Sequence, residues 1–222
     1  MPDVRPELLL LPGLGLGREA WAPTVTAPVT GAAFRYVEVL PLPGYGLRAP
    51  AGADLSPERL AVDVVARLPE GRRTVLVGHS ASCQVAVHAA ALAPRSVAAL
   101  VLVGPTTDPR ARSWLRLARR WVATAAHERP EQVPSLVRQY HRTTLATMAR
   151  AMEAARRESI EARLPAVRCE VYVVRGTHDR ICPPDWAARL GRTTTLPVGA
   201  HMVPHTHGTL MAEHLAEVTH RI

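Results

Sequence analysis

Four short apolar runs govern what this chain can fold into. Residues 8–11, 74–77, 97–103 and 169–174 are each the length of a strand and apolar almost throughout. A strand that alternates polar and apolar side chains buries one face, whereas an unbroken apolar run must be covered on both. Between the runs lie helical signals. Ser56-Pro57-Glu58 supplies an N-cap, a proline at the first helical position and an acid at the positive end of the helix dipole. Leu60, Val64 and Leu68 follow at helical spacing. Residues 82–93 read as a largely apolar helix and 208–219 as a closing one. Weaker signals predict strands at 36–40 and 194–198 and a short helix around 18–22. A further short helix is expected at 185–190, capped by Asp185. Strands alternating with helices specify an α/β fold, a mostly parallel sheet with helices on both faces.

The alternation stops between residues 108 and 164, where no strand is expected. Trp114, Leu117, Ala118 and Trp121 fall on one helical stripe there, and a second helical region follows Pro130. With 222 residues the chain suits one domain with a sizeable core. The reading is therefore a single domain, 1–222, with a helical lid inserted at 108–164. The alternative is a set of helices that merely cover the core.

The formal net charge of +8 raises the question of a nucleic-acid partner. Every basic side chain apart from histidine is arginine; these are scattered, and no nucleic-acid module accompanies them. They read as a solvated face that attracts anions weakly, and a small-molecule substrate is expected instead. Cys83, Cys169 and Cys182 match no metal spacing and read as reduced thiols. Met1-Pro2-Asp3 opens no secretory signal, and no apolar run is long enough to span a bilayer. The expectation is a cytoplasmic protein with no membrane partner. Oligomeric state is open.

The chemistry gathers around Gly78-His79-Ser80-Ala81-Ser82, which joins the third expected strand to the apolar helix. A serine on such a tight strand-to-helix turn holds its hydroxyl out of the sheet, and small neighbours are needed where the helix passes the strand. Gly78 meets that need, while Ser82 stands where a second glycine is usual. A serine hydroxyl becomes a nucleophile only when a base takes its proton. Asp179 and His201 follow later, in loops after two further strands, in the chain order serine, acid, histidine. His205 and His207 are alternative bases, and Asp108, just beyond the fourth strand, is an alternative acid. His178 is expected to point away as an exposed loop residue, and His79 to be structural.

These motifs resemble the α/β-hydrolase superfamily. Gly-His-Ser-Ala-Ser is similar to its nucleophile elbow, Gly176-Thr177-His178-Asp179 with Pro183 to its acid loop, and Gly199-Ala200-His201-Met202-Val203 to its histidine loop. The likeness spans about residues 8–215, with 108–164 matched by position only. It implies the α/β-hydrolase fold and a Ser80–Asp179–His201 triad. It also implies an oxyanion hole formed by the backbone N–H groups of Leu14 and Ala81. Many relatives carry His-Gly where this chain has Pro12-Gly13, so the bonding that stiffens the Leu14 loop must differ. Leu42-Pro43-Gly44-Tyr45-Gly46 is similar to a structural turn of the superfamily, and Trp21 to a core residue. Leu14, Ala81, Trp114 and Trp121 suggest an apolar pocket that accepts an acyl or aryl group.

The function expected is hydrolysis of a carboxylic ester or thioester of a small apolar substrate, with no metal or organic cofactor. Two alternatives remain at this level. One is a lyase or acyl-transfer enzyme of natural-product biosynthesis using the same site, and the other a non-catalytic ligand-binding protein on the same fold.

Overall fold

The computed structural model describes residues 4–69 and 71–222. Six strands form one parallel sheet: β1 (Glu7–Leu11), β2 (Tyr36–Val39), β3 (Thr74–His79), β4 (Val97–Val103), β5 (Glu170–Gly176) and β6 (Arg192–Leu196), in the order β2-β1-β3-β4-β5-β6. All five neighbouring pairs run parallel. The four unbroken apolar runs became the four central strands, as their two-sided burial requires. Leu9, Leu76, Leu100, Leu102 and Val173 point into one core, and Leu8, Val75, Val77, Val101 and Val174 into the other.

Helix α1 (Pro57–Val65) begins as expected, with the Ser56 hydroxyl accepting the Arg59 N–H at 3.3 Å. Helix α2 (Ser82–Leu92) is sunk into the first core, while the last helix of the chain, Gly208–Thr219, covers the second. Buried Trp21 fills that second core and donates its Nε1–H to the Leu11 carbonyl at 3.2 Å. Tyr45 is fully buried in the first.

Two expectations are corrected. The last strand runs two residues earlier than the 194–198 expected. As an edge strand it buries only Leu196, so apolar content was a poor guide to its limits. Asp185 does not cap its helix. Pro183 occupies the N-cap, and the Asp185 carboxylate instead takes a hydrogen bond from Arg110 at 2.5 Å.

Between β4 and β5 the chain is helical, with α3 (Trp114–Ala125), α4 (Val133–Thr143) and α5 (Leu145–Arg157) as the main members. Residues of this insertion line a cavity together with Ser80, which directly follows β3. The chain leaves β1 towards β2 on one side, and β3 lies on the other. Parallel sheets leave a crevice at such a switch point.

Candidate active site

Ser80 follows β3 directly, with φ at +59°, and its N–H donates to the Val103 carbonyl at 2.8 Å. A non-glycine residue in left-handed backbone stores strain, and the surroundings must hold it there. Gly78 makes the turn possible. A Cβ at that position would sit 2.7 Å from the Cys83 Cα and 2.9 Å from the Ser82 carbonyl oxygen, both backbone atoms.

Ser82 is fully buried and accepts the His79 N–H at 2.9 Å. Its own hydroxyl lies within reach of the Leu11 carbonyl (3.1 Å) and the His79 carbonyl (2.9 Å). The residue that departs from the usual pattern thus ties the elbow to the end of β1. The Cys83 thiol is buried and bonded to the Gly78 carbonyl. Burial raises it far above the ordinary cysteine value, which keeps it protonated and unreactive.

His201 and Asp179 meet, Nδ1 to Oδ2, at 2.8 Å. Asp179 is 1% exposed, and its other oxygen accepts the N–H groups of Ile181 (2.9 Å) and Cys182 (3.0 Å). Burial works to raise its carboxyl pKa. The charge and hydrogen bond of His201, with the two amides, outweigh burial and hold the value below that of an ordinary carboxylate. Burial likewise disfavours the His201 imidazolium, yet the facing Asp179 and the nearby Glu128 raise its pKa above the ordinary histidine value. His201 Nε2 is buried with no hydrogen-bond partner among the described residues. That nitrogen is the one left to serve a substrate or a nucleophile.

The chain after β4 has to pass close to this pair. Gly104 adopts φ +55°, and a Cβ there would come within 2.9 Å of both Asp179 Oδ2 and the His201 ring.

The structure gives the other candidate acid and bases different partners. Asp108 is buried and points at Arg110 (2.7 Å) and Arg120 (2.8 Å), not at a histidine. Burial opposes its charge, but hydrogen bonds from both arginines depress its pKa to about 2. His205 Nδ1 contacts the Glu19 carbonyl at 3.1 Å, and His207 Nε2 accepts from Arg129 at 3.1 Å. His178 is exposed and stacks on His127 of the insertion, ring centroids 4.8 Å apart. His79 is buried, with its pKa driven down to about 3 by burial and by His201, so the ring is neutral. Its Nε2 lies 3.0 Å from the His201 carbonyl and serves as the donor there.

Ser80, His201, Leu14, Trp114 and Trp121 all line one cavity of about 600 Å3 with mostly apolar walls. Leu14 sits in the loop after β1, and Ala81 directly follows Ser80. Among the described residues neither backbone N–H is taken by another protein group. The Leu14 loop carries no histidine to stiffen it. Instead Gly15 N–H donates to the Gly44 carbonyl (2.9 Å), and helix α4 reaches down to it. Gln139 accepts the Gly17 N–H at 2.7 Å, and Thr143 donates to the Gly15 carbonyl at 3.1 Å.

Sequence reading missed Arg175 and Glu128. Arg175, buried at the end of β5, donates to the Cys182 carbonyl (2.7 Å) and the Asp179 carbonyl (2.9 Å), folding the acid loop around its carboxylate. A charge directly after the apolar run 171–174 was its visible signal. Glu128 comes from the turn just after α3, where nothing in the sequence ties it to His201.

A parallel sheet carrying a left-handed serine at a strand-to-helix turn, with an acid–histidine pair beside it under a helical roof, defines an α/β-hydrolase architecture. The chain belongs to the alpha/beta hydrolase family, whose model matches residues 8–219. Its structure is similar to that of a hydrolase from Oleispira antarctica (TM-score 0.79, 13% identity, covering 99% of this chain and 93% of that one). It is similar also to the enol-lactonase from Burkholderia xenovorans LB400 (0.71, 17%, 97% and 91%). A hydrolase from Pseudomonas aeruginosa PA01 shares the fold as well (0.69, 21%, 97% and 89%). No curated protein matches the chain.

Proposed function

We propose that this protein is a serine hydrolase that cleaves a carboxylic ester or thioester of a small apolar substrate through an acyl-enzyme on Ser80. The observation that carries this reading is the 2.8 Å His201–Asp179 pair. Its free Nε2 edge shares one apolar cavity with Ser80.

In this reaction His201 Nε2 takes the Ser80 proton as the hydroxyl oxygen attacks the acyl carbon. Asp179 holds the opposite ring nitrogen and stabilises the imidazolium. The Leu14 and Ala81 N–H groups receive the charge that develops on the carbonyl oxygen, and each such donor is worth about 100-fold or more in rate. His201 then protonates the departing alcohol or thiol. Water enters, loses a proton to the same nitrogen and attacks the acyl carbon, releasing the acid and restoring Ser80. Trp114 and Trp121 contribute apolar wall to the acyl side of the cavity.

The enol-lactonase among the structural neighbours accords with ester chemistry on this fold. Wild-type protein is expected to hydrolyse short activated esters and to be labelled by a fluorophosphonate, and Ser80→Ala to lose both. An unlabelled wild type overturns the reading. Retention of turnover by Ser80→Ala would instead favour an elimination in which His201 acts as base without a covalent intermediate.

A further inference from the structure

One face of the insertion is fastened to both loops of the acid–histidine pair. Arg120, Thr124 and Glu128 follow at intervals of four residues, through the end of α3 and the turn beyond it. Arg120 reaches the Ile181 carbonyl at 3.4 Å, and the Thr124 hydroxyl accepts the Arg180 N–H at 3.0 Å; both contacts are on the acid loop. Glu128 reaches the histidine loop. A single oxygen, Oε1, accepts the N–H of His201 at 2.7 Å and of Met202 at 2.8 Å. Its Oε2 is held by Gln132 at 3.0 Å.

Two consecutive amides converging on one oxygen form a small anion-binding nest, and bonds to an ionised acceptor are about twice as strong as neutral ones. The insertion therefore supplies the counter-charge that fixes the backbone from which the His201 ring projects.

We propose that Glu128 is a positioning residue of the acid–base pair, clamping the histidine loop so that His201 is held in register only while the helical insertion is seated. The proposal deepens the hydrolase reading and rests on it for its kinetic consequence, though not for its structural one. The clamp acts in two ways. It fixes the loop geometrically through the two amides, and its negative charge favours the imidazolium that forms during proton transfer.

The other groups facing this pair are accounted for. Asp179 bonds the His201 ring, and His79 is neutral against the loop carbonyl. Arg129, next to Glu128 in sequence, bonds His207. Tyr140 keeps its proton, its pKa raised by burial and by the Glu128 charge.

The test compares Glu128→Gln and Glu128→Ala with wild type. Glutamine keeps an acceptor oxygen for both amides and loses the charge; alanine loses both. Three readouts are needed: amide hydrogen exchange at His201 and Met202, the His201 ring titration by NMR, and the pH profile of ester hydrolysis.

Removing the Glu128 charge lowers the His201 pKa, so both variants should titrate at lower pH than wild type. The acid limb of kcat/KM should shift with it. Amide exchange at 201 and 202 should rise at least about tenfold in Glu128→Ala and be largely rescued in Glu128→Gln. kcat should fall about tenfold or more in Glu128→Ala with KM nearly unchanged.

An unshifted ring titration together with unchanged exchange overturns the proposal. A generally destabilising lesion would raise exchange across the sheet and leave the ring pKa where it was, which also counts against it. Fluorophosphonate labelling of wild type reports on Ser80 separately. A failure there sinks the hydrolase reading, while the exchange and titration data still decide the clamp.

Discussion

Two hydroxyls, two residues apart, live in opposite environments. Ser80 is partly exposed, strained and aimed into the cavity, whereas Ser82 is sealed and bonded on both sides. The difference is testable. Ser82→Ala leaves the buried His79 N–H without its acceptor, while the Leu11 carbonyl keeps its bond from Trp21, and should cost about 1–3 kcal/mol in urea denaturation. It should also loosen the elbow and lower kcat. Stability equal to wild type would show that the bonds of Ser82 are not needed to hold the turn. Glycine at 78 was readable as a requirement of the turn. The need for glycine at 104 was not, because the atoms it must avoid belong to residues 75 and 97 positions further along the chain.

At the scale of elements, the insertion does more than cover the core. Helix α4 stiffens the Leu14 loop through Gln139 and Thr143, and α3 packs Trp121 against the cavity. Trp121→Ala should raise KM for long-chain acyl esters about tenfold, from the lost apolar contact, and leave acetyl esters almost unaffected. A chain-length series measures this, and a uniform change across the series would place Trp121 outside the acyl site. The base of the insertion is pinned by Asp108 between Arg110 and Arg120. The folded pKa of Asp108 lies near 2, below the 3.8 of a free carboxyl. Its contribution to stability is therefore complete above the free value and is lost as pH falls from about 4 towards 2. Thermal melts across that window should fall less steeply in Asp108→Asn than in wild type. Equal slopes would mean that the ion pair contributes nothing to acid sensitivity.

Across the whole molecule, what could be read in advance follows from range. Burial on two faces is written into every residue of a central strand, so 97–103 was delimited correctly from its own composition, as was the closing helix 208–219. The edge strand, with one buried residue, carried little of that signal and was displaced by two. The arginines were expected to be a solvated face. They are spread over the surface, many paired with carboxylates, as in Arg67–Glu38, Arg142–Glu19 and Arg59–Asp63. Among the described residues no helix is long and apolar enough to cross a membrane.

By itself the sequence determined the parallel α/β sheet, the helical insertion and the serine turn, since each depends on residues adjacent in the chain. It narrowed the acid to Asp179 or Asp108 and the base to His201, His205 or His207. Only the tertiary structure shows that His201 and Asp179 meet while Asp108 lies between two arginines, because pairing depends on which loops the sheet brings together. The His201–Asp179 bond spans 22 residues, and Glu128 reaches His201 across 73. No local pattern encodes such contacts; they exist only once β5, β6 and the insertion are packed against one another.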